Sequence, residues 1–344
     1  MGKRRGYVER INGLLQPSES AGLMVLDLFA GCGGLSLGFE AAGFSTMGYE
    51  KVPAAAATYG RNLQGGCECV ELGVGQSYPD ADVVIGGPPC QPFSVRGLQR
   101  GMEDARDGFP IFIDAVRRVQ PRMFLFENVS NLFKRHRWYL DRILAELRSL
   151  GYYVRYECLN AVHYGVPQSR ERLIVVGYRG AYAFPQWELP GSTVGDAIGD
   201  TMQREVEGSR ILTPAQDAYI ARYEKASACI NPRDLYPDRP ARTLTCRNLA
   251  GATSDMQRVR MADGRRRRIV VREAARLQSF PDWFVFEGSE TEQFTQIGNA
   301  VPPLFAYHLA QSVRRALETP DQPLEKILAW NARIRSTIFD EKRP

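Results

Sequence analysis

The sequence predicts an α/β fold, a doubly wound sheet joined to a small irregular second domain. Three observations carry this expectation. Short β-rich runs alternate with amphipathic stretches through the first half of the chain, that rhythm breaks after about Pro190, and regular patterning returns at 271–277 and 303–317.

The runs MVLDLF (24–29), STMGY (45–49), CVEL (69–72), DVVIGG (82–87) and MFLFEN (123–128) are expected as the first five strands. YYVRYECL (152–159) and RLIVVGY (172–178) follow as two more. Helical spacing falls at 34–42, 53–62, 111–119 and 138–150, so the sheet is expected to be parallel and covered on both faces. Residues 191–272 hold many Gly, Pro, Thr, Asp and Arg residues without a clear period. They are expected to form the second domain, with 273–292 as a hinge and 293–344 completing the domain that 1–190 begins. In the tail, Leu324, Ile327, Leu328, Ile334 and Ile338 recur at helical spacing, which predicts a packed terminal helix.

A chain of 344 residues, 44% hydrophobic and 24% charged, has ordinary globular composition. No stretch approaches the roughly 18–20 apolar residues of a membrane span. The basic start MGKRRGYVERING has no apolar core behind it, so no secretory signal is expected either. Seven cysteines at irregular spacing argue against a disulfide framework and for a reducing compartment. Beside only three histidines, they predict no metal site. The net charge is +5, yet residues 239–272 hold ten arginines against Asp255 and Asp263, which makes that segment +8 and the remainder −3. Such a stretch suggests contact with a polyanion; a solvated basic loop is the plainer alternative.

Open α/β sheets bind ligands at the carboxyl ends of their strands, and the unusual residues fall there. The first expected strand runs into Phe29-Ala30-Gly31-Cys32-Gly33-Gly34, the second ends at Glu50, the fourth at Pro88-Pro89-Cys90 and the fifth at Glu127-Asn128. The glycines permit a tight turn and close approach of a ligand to the backbone. Ser36 replaces the third glycine of a dinucleotide fingerprint, while Glu50 stands 19 residues past Gly31, where an acidic residue reaches ribose hydroxyls. This suits a ribose ligand without a pyrophosphate; a structural turn is the alternative. Two prolines would present the Cys90 thiol rigidly, as a nucleophile requires, although a buried cysteine in a proline turn reads the same way. Glu127 follows the apolar run MFLF, so burial is expected to raise its carboxyl pKa and let it share a proton near neutrality. A capping carboxylate is the competing reading. Arg170 and Arg172 share one strand face and could reach a base or phosphate, or form an ion-pair network. The polar stretch 94–108, with Arg96, Arg100 and Arg106, has the composition of a lid able to meet phosphates.

Taken together, these motifs resemble those of the DNA cytosine-5 methyltransferase family, of bacterial restriction-modification type, in the family's order over most of the chain. DLFAGCGGLSLGFE (27–40) is similar to its cofactor motif, GGPPCQPFS (86–94) to its nucleophile motif, FENV (126–129) to its Glu-Asn-Val motif and QSRERL (168–173) to its Gln-x-Arg-x-Arg motif. REAARLQSFPD (272–282) and QIGNAVPP (296–303) are similar to its two late motifs. The resemblance implies a Rossmann-like, S-adenosyl-L-methionine-dependent methyltransferase domain with a target-recognition domain at 191–272. It implies methyl transfer to C5 of a cytosine flipped out of a specific double-stranded DNA sequence, with S-adenosyl-L-homocysteine as product.

By the same resemblance, Cys90 adds to C6, Glu127 contacts or protonates N3, Arg172 binds O2, Arg170 supports the site, and the Pro88 carbonyl accepts from the exocyclic amine. Cofactor contacts are implied at Phe29, Ala30, Gly31, Cys32, Gly33, Gly34, Leu35, Glu50, Pro89, Asn299 and Ala300. Lys51 stands where the family often has an aromatic or bulky apolar residue, and Glu71-Leu72 where it usually has Asp-Ile, both at the adenine. For DNA, Gln91, Ser94 and Arg96 would lie in a closing loop over 91–106, beside Pro88 and Gln168. In the recognition segment, Thr243, Leu244, Thr245 and Arg247 would read the site, with Arg265, Arg266, Arg267 and Arg268 on phosphates.

The expected setting is a monomer in the bacterial cytoplasm, associated with the nucleoid. A restriction endonuclease acting on the same site is the expected counterpart, with no stable complex implied. Three rival readings are weaker. A tRNA-methylating relative would carry a Cys-Phe-Thr motif, absent here; an inactive paralogue would not keep Cys90, Glu127, Arg170 and Arg172; and Ser36 and Cys90 disfavour a nicotinamide-dependent oxidoreductase.

Overall fold

The computed structural model describes residues 6–90, 107–186, 191–226, 233–251 and 255–340, with side chains as far as residue 333. After α1 (Tyr7–Leu14) come β1 (Met24–Leu28), α2 (Gly34–Ala41), β2 (Ser45–Glu50), α3 (Pro53–Asn62), β3 (Gly66–Cys69), β4 (Val83–Gly86), α4 (Phe109–Val119) and β5 (Met123–Val129). Then follow α5 (Asn131–Lys134), α6 (Arg137–Ser149), β6 (Tyr153–Asn160), β7 (Gln168–Ser169) and β8 (Glu171–Tyr178). Seven strands form one sheet in the order β3-β2-β1-β4-β5-β8-β6. Because successive side chains point to opposite faces, Val25, Val83, Ile85, Leu125, Ile174 and Val176 enter one apolar cluster. Leu26, Leu28, Val84, Phe124, Phe126 and Val175 enter the other. Both faces are therefore buried, which is why β4 reads Val-Val-Ile-Gly without polar alternation.

Two expectations need correction. The sheet is mixed: β8 runs antiparallel to both β5 and β6. A parallel neighbour needs a crossover of a dozen or more residues, and the chain between β6 and β8 is shorter, holding only a 3-10 turn (Ala161–Tyr164) and β7. The third strand also begins earlier than the run CVEL, at Gly66. Its entry is set by Glu40, a buried carboxylate that accepts from Gln64 N (2.9 Å), Gly65 N (2.8 Å) and the Thr46 hydroxyl (2.7 Å). No hydropathy pattern contains that constraint.

Residues 191–272 are more regular than their composition suggests. They contain α7 (Val194–Ile198), α8 (Pro214–Ala226), β9 (Ala241–Arg242), α9 (Cys246–Ala250), β10 (Arg258–Arg260) and β11 (Arg266–Arg268). The helix α8 buries only Ile220, so no apolar stripe announces it. Val194, Ile198, Leu235, Leu244, Val259 and Ile269 belong to the same cluster as the sheet, and only Leu212, Ile220 and Met256 form a separate one.

The chain ends with α10 (Val271–Leu277), α11 (Glu290–Asn299), α12 (Pro303–Leu317) and α13 (Leu324–Asp340). The stretch leading into α11 was read as hinge, but Ser289 and Glu292 form a capping box there, a signal visible as Ser-x-x-Glu. Among the described residues no helix is long and apolar enough to cross a membrane.

Helix α12 lies against α2 at a contact only glycine allows. A Cβ at Gly38 would stand 2.4 Å from the Tyr307 amide nitrogen and 2.5 Å from Ala306 Cβ. Gly38→Ala gains up to about 1 kcal/mol of helix propensity, but overpacking against backbone outweighs it. We expect a net loss of about 1–2 kcal/mol, read as a lower urea midpoint with an unchanged slope. An unaltered midpoint would mean the two helices can separate freely.

Candidate active site

The glycine turn after β1 has two different sides. Phe29, Gly31 and Gly33 take positive φ values of 61°, 56° and 86°. At Gly33 an added Cβ would meet the Tyr59 ring at 2.8 Å, and at Gly34 the Val301 carbonyl at 2.5 Å, so these glycines serve packing. At Gly31 it would meet no heavy atom within 4 Å. Here the backbone faces open space, and here Glu50 is held: its Oε2 accepts from Gly31 N (2.9 Å) and its Oε1 from Val52 N (2.8 Å). Cys32 and Leu35 turn inward and Ala30 is buried, so a ligand at this turn meets backbone and the Phe29 ring rather than those side chains. Burial pushes the Cys32 thiol up to about 12.

Asp27 escaped the sequence reading, although an aspartate inside an apolar strand was the signal. Its buried Oδ2 accepts from the Ser36 hydroxyl at 2.7 Å. Burial, opposed by Ser36 and assisted by the charge of Glu50, pushes the Asp27 carboxyl up to about 7. The residue that breaks the dinucleotide fingerprint is thus the partner of a strand aspartate. The two departures at the expected adenine site are one feature, because Lys51 Nζ pairs with Glu71 Oε1 at 3.0 Å on the exposed rim. Leu72 is buried beneath them with Tyr49. Asn299 is exposed at the end of α11, and the Ala300 carbonyl accepts from Gln278 Nε2 at 2.7 Å.

Cys90 stands four residues past β4. Pro88 is buried and its carbonyl accepts from Asn128 Nδ2 at 2.9 Å, so the Asn of β5 fixes the turn that presents the thiol. On the far side, Cys90 forms an antiparallel bridge with Asp107, and Gly108 N donates to Pro89 O at 3.0 Å. Burial, and then the negative charge of Asp107, pushes the Cys90 thiol up to about 12. At neutral pH it is a thiol rather than a thiolate.

Glu127 does not stand alone as its apolar run suggested. Its Oε1 pairs with Arg172 Nε at 2.7 Å, each side chain 12% exposed. The antiparallel register places Glu127 opposite Ile174 and Arg172 two residues away on the same face, which is the diagonal pairing position. The pair lies beside the β4 turn, since a Cβ at Gly87 would stand 3.8 Å from Glu127 Oε2.

Several expected contact residues are internal. Arg170 is only 2% exposed and donates to the Leu244 carbonyl (2.8 Å) and the Gly298 carbonyl (3.3 Å). It ties the link between β7 and β8 to the 191–272 segment and to α11. Gln168 and the Leu244 side chain are fully buried, with Leu244 N donating to Gln168 Oε1 at 2.8 Å and Gln168 Nε2 donating to Gln278. Neither can reach a DNA groove. Thr245 caps α9, and the Thr243 hydroxyl donates to Ser169 O at 2.7 Å. Arg247 is exposed. Gln91, Ser94 and Arg96 lie outside the described residues.

The arginine run is corrected most strongly. Arg267 is 0% exposed and paired with Glu273 at 2.7 Å. Arg266 pairs with Asp234 (2.9 Å) and Asp217 (3.1 Å), and Arg268 donates to the Leu249 and Ala250 carbonyls. Only Arg265 of the four is exposed, and it pairs with Asp263 and Glu205. Most of these neutralising acids come from 205–234 and 273, outside the window whose charge was counted.

Residues 23–315 match the model of the C-5 cytosine-specific DNA methylase family. The chain is 59% identical over 307 residues to the type II methyltransferase M.AplI of Arthrospira platensis, covering 88% of this chain and 89% of that protein. It is 34% identical over 374 aligned positions to the type II methyltransferase M.XorII of Xanthomonas oryzae pv. oryzae, covering 88% and 87%. Among solved structures, the Entamoeba histolytica methyltransferase EhMeth superposes with a TM-score of 0.67 at 16% identity, covering 87% of this chain and 99% of that one. The S. pombe Dnmt2 methyltransferase gives 0.65 at 18% identity, covering 86% and 98%. At those identities the structural likeness speaks for the fold.

Two outcomes are expected of these placements. Arg267→Ala strands the buried Glu273 carboxylate and should cost about 3–5 kcal/mol. Its melting temperature should fall well below that of Arg247→Ala, which should melt like the wild type; equal melts would return Arg267 to the surface. Asp27, with its folded pKa raised from 3.8 to about 7, contributes most below the lower value, and that contribution is lost as pH rises through the higher. Asp27→Asn keeps an acceptor for Ser36 but carries no charge. The loss of melting temperature between pH 5 and pH 8 should therefore be smaller in the variant, and an identical loss would show that Asp27 does not titrate in that window.

Proposed function

The chain belongs to the C-5 cytosine-specific DNA methylase family and is a type II DNA cytosine-5-methyltransferase, and from that premise we propose that it acts on a cytosine flipped from a specific duplex sequence, through a covalent Cys90–C6 adduct. The observation that carries the proposal is the turn that ends β4: Cys90 follows Gly87 by three residues, and a Cβ at Gly87 would stand 3.8 Å from the Glu127 carboxylate that pairs with Arg172.

The turn after β1 fits S-adenosyl-L-methionine. Open space at Gly31 admits a ligand to the backbone, and Glu50, anchored by two amides at the end of β2, presents a carboxylate suited to ribose hydroxyls. Phe29, the backbone from Ala30 to Leu35, Pro89, Asn299 and Ala300 complete the proposed site, with the Lys51–Glu71 pair and Leu72 at its adenine end. Bound there, the cofactor supplies an electrophilic methyl group and leaves as S-adenosyl-L-homocysteine.

The protein's own groups do the rest. A stacked base is out of reach of Cys90, so the cytosine must leave the helix, at a cost on the order of a few kcal/mol. The Cys90 sulfur bonds to C6 as its proton passes to water, and the C5–C6 π pair moves to C5, which becomes the nucleophile. Glu127 holds N3 and so stabilises charge developing on the ring. Arg172, with Nε on Glu127 and Nη1 on the Glu171 carbonyl (2.8 Å), offers its remaining edge to O2. The Pro88 carbonyl, oriented by Asn128, takes the exocyclic amine. Once C5 is methylated, loss of its proton restores the double bond and the C6–sulfur pair returns to Cys90.

The segment 191–272 is proposed as the target-recognition region, inserted before 273–292 and completed by the return of 293–344 to the catalytic sheet. Arg247 and Arg265 are its exposed arginines best suited to DNA, with Thr243 and Thr245 beside Arg247. A restriction endonuclease cutting the same sequence is the proposed cellular counterpart, and a monomer in the bacterial cytoplasm, near the nucleoid, the proposed working form.

The test is bisulfite sequencing of unmethylated genomic DNA after incubation with the protein and S-adenosyl-L-methionine, beside Cys90→Ser. Protection of cytosines in one short repeated sequence, abolished in the variant, is the expected result. Protection that survives in Cys90→Ser would remove Cys90 as the nucleophile.

A further inference from the structure

Asp107 has no part in the chemistry above, yet it is the residue nearest Cys90 along an antiparallel bridge. It is buried, and among the described residues its Oδ1 accepts from Phe109 N at 3.1 Å and its Oδ2 from the Tyr139 hydroxyl. Tyr139 belongs to α6 and is itself buried, its ring set edge-on to Phe109 at 5.8 Å between centroids. The adjacent Gly108 completes the clamp. Its amide donates to Pro89 O, and any Cβ there would stand 2.4 Å from Pro89 Cδ and 3.0 Å from the Phe29 ring.

We propose that the Asp107 carboxylate, held in place by Tyr139, is a positioning residue for Cys90 that sets the charge its sulfur meets. The inference rests on Cys90 being the nucleophile. A carboxylate kept ionised in an apolar setting needs such hydrogen bonds, and Tyr139 and the Phe109 amide supply them. Its negative charge opposes formation of a second negative charge on the neighbouring sulfur. Burial and this charge together hold the sulfur of the free protein in its thiol form. Among the described residues, the titratable groups facing Cys90 are Asp107 and, from α6, Tyr139 with Arg142 beyond it; Glu127 and Arg172 neutralise one another across β5 and β8.

The experiment measures alkylation of Cys90 by iodoacetamide in the full-length protein without DNA, from pH 7 to 10, by mass spectrometry of the Cys90 peptide. Exposed Cys158 serves as an internal reference for the folded state. Asp107→Asn removes the charge and keeps the shape. Its Cys90 should react about tenfold faster at pH 8, with the pH profile displaced toward acid, since rate follows the thiolate fraction. Tyr139→Phe leaves the charge and strips it of a donor, so its Cys90 should react no faster than wild type. A simple loosening of the segment would speed both variants alike, and that result overturns the proposal, as does an Asp107→Asn profile that coincides with wild type. Because no methyl transfer is read, this outcome stands apart from that of the bisulfite test: survival of methylation in Cys90→Ser would remove the nucleophile assignment, not the thiol chemistry measured here.

Discussion

Three buried polar side chains, Gln168, Arg170 and Gln278, hold together segments more than 100 residues apart. Gln168 accepts from Leu244 N and donates to Gln278; Gln278 donates to the Ile297 and Ala300 carbonyls; Arg170 donates to the carbonyls of Leu244 and Gly298. Each hydrogen bond is worth only about 0.5–1.5 kcal/mol net, whereas a stranded buried partner costs about 1–3 kcal/mol. The network therefore behaves as all or nothing. It places the 191–272 segment, α11 and the approach to β8 in one fixed relation, and α9 can approach α11 so closely because Gly298 has no side chain.

A second buried set organises the 191–272 segment from within. Arg258 pairs with Asp234 and Glu224, Arg266 with Asp234 and Asp217, and Arg267 with Glu273 and the Thr201 carbonyl. A small segment with few apolar residues of its own uses guanidinium forks, which can satisfy several acceptors at once. Such pairs are weak as net stabilisers but costly to break singly. They fix how short strands and loops lie, which is what a surface built mainly from irregular chain requires.

At the reactive face the same economy of charge recurs. Glu127 and Arg172 neutralise one another, Asp107 is held by Tyr139 and an amide, and Glu50 is held by two amides. Among the described residues these carboxylates are oriented before any ligand arrives, so little reorganisation remains to be done on binding.

Much of this was legible in the residues. Short β-rich runs located six of the seven sheet strands within a few residues, and where both faces are buried, as at β4, the run is wholly apolar. Glycines, prolines and charged residues at strand ends pointed to the ligand-facing edge, because the topology of open sheets puts ligands there. What the one-dimensional order could not contain was partnership across distance. The direction of β8, and with it the meeting of Glu127 with Arg172, follows from a connection too short for a crossover. The fate of the arginines was hidden because most of their acids lie tens of residues away and Glu273 falls just past the counted stretch, so a local charge count described a surface where the fold builds an interior. Local periodicity and end chemistry were determined by the sequence alone, since both act within a few residues. Only the tertiary structure decided which charges meet, because that depends on which strands and helices come to lie side by side.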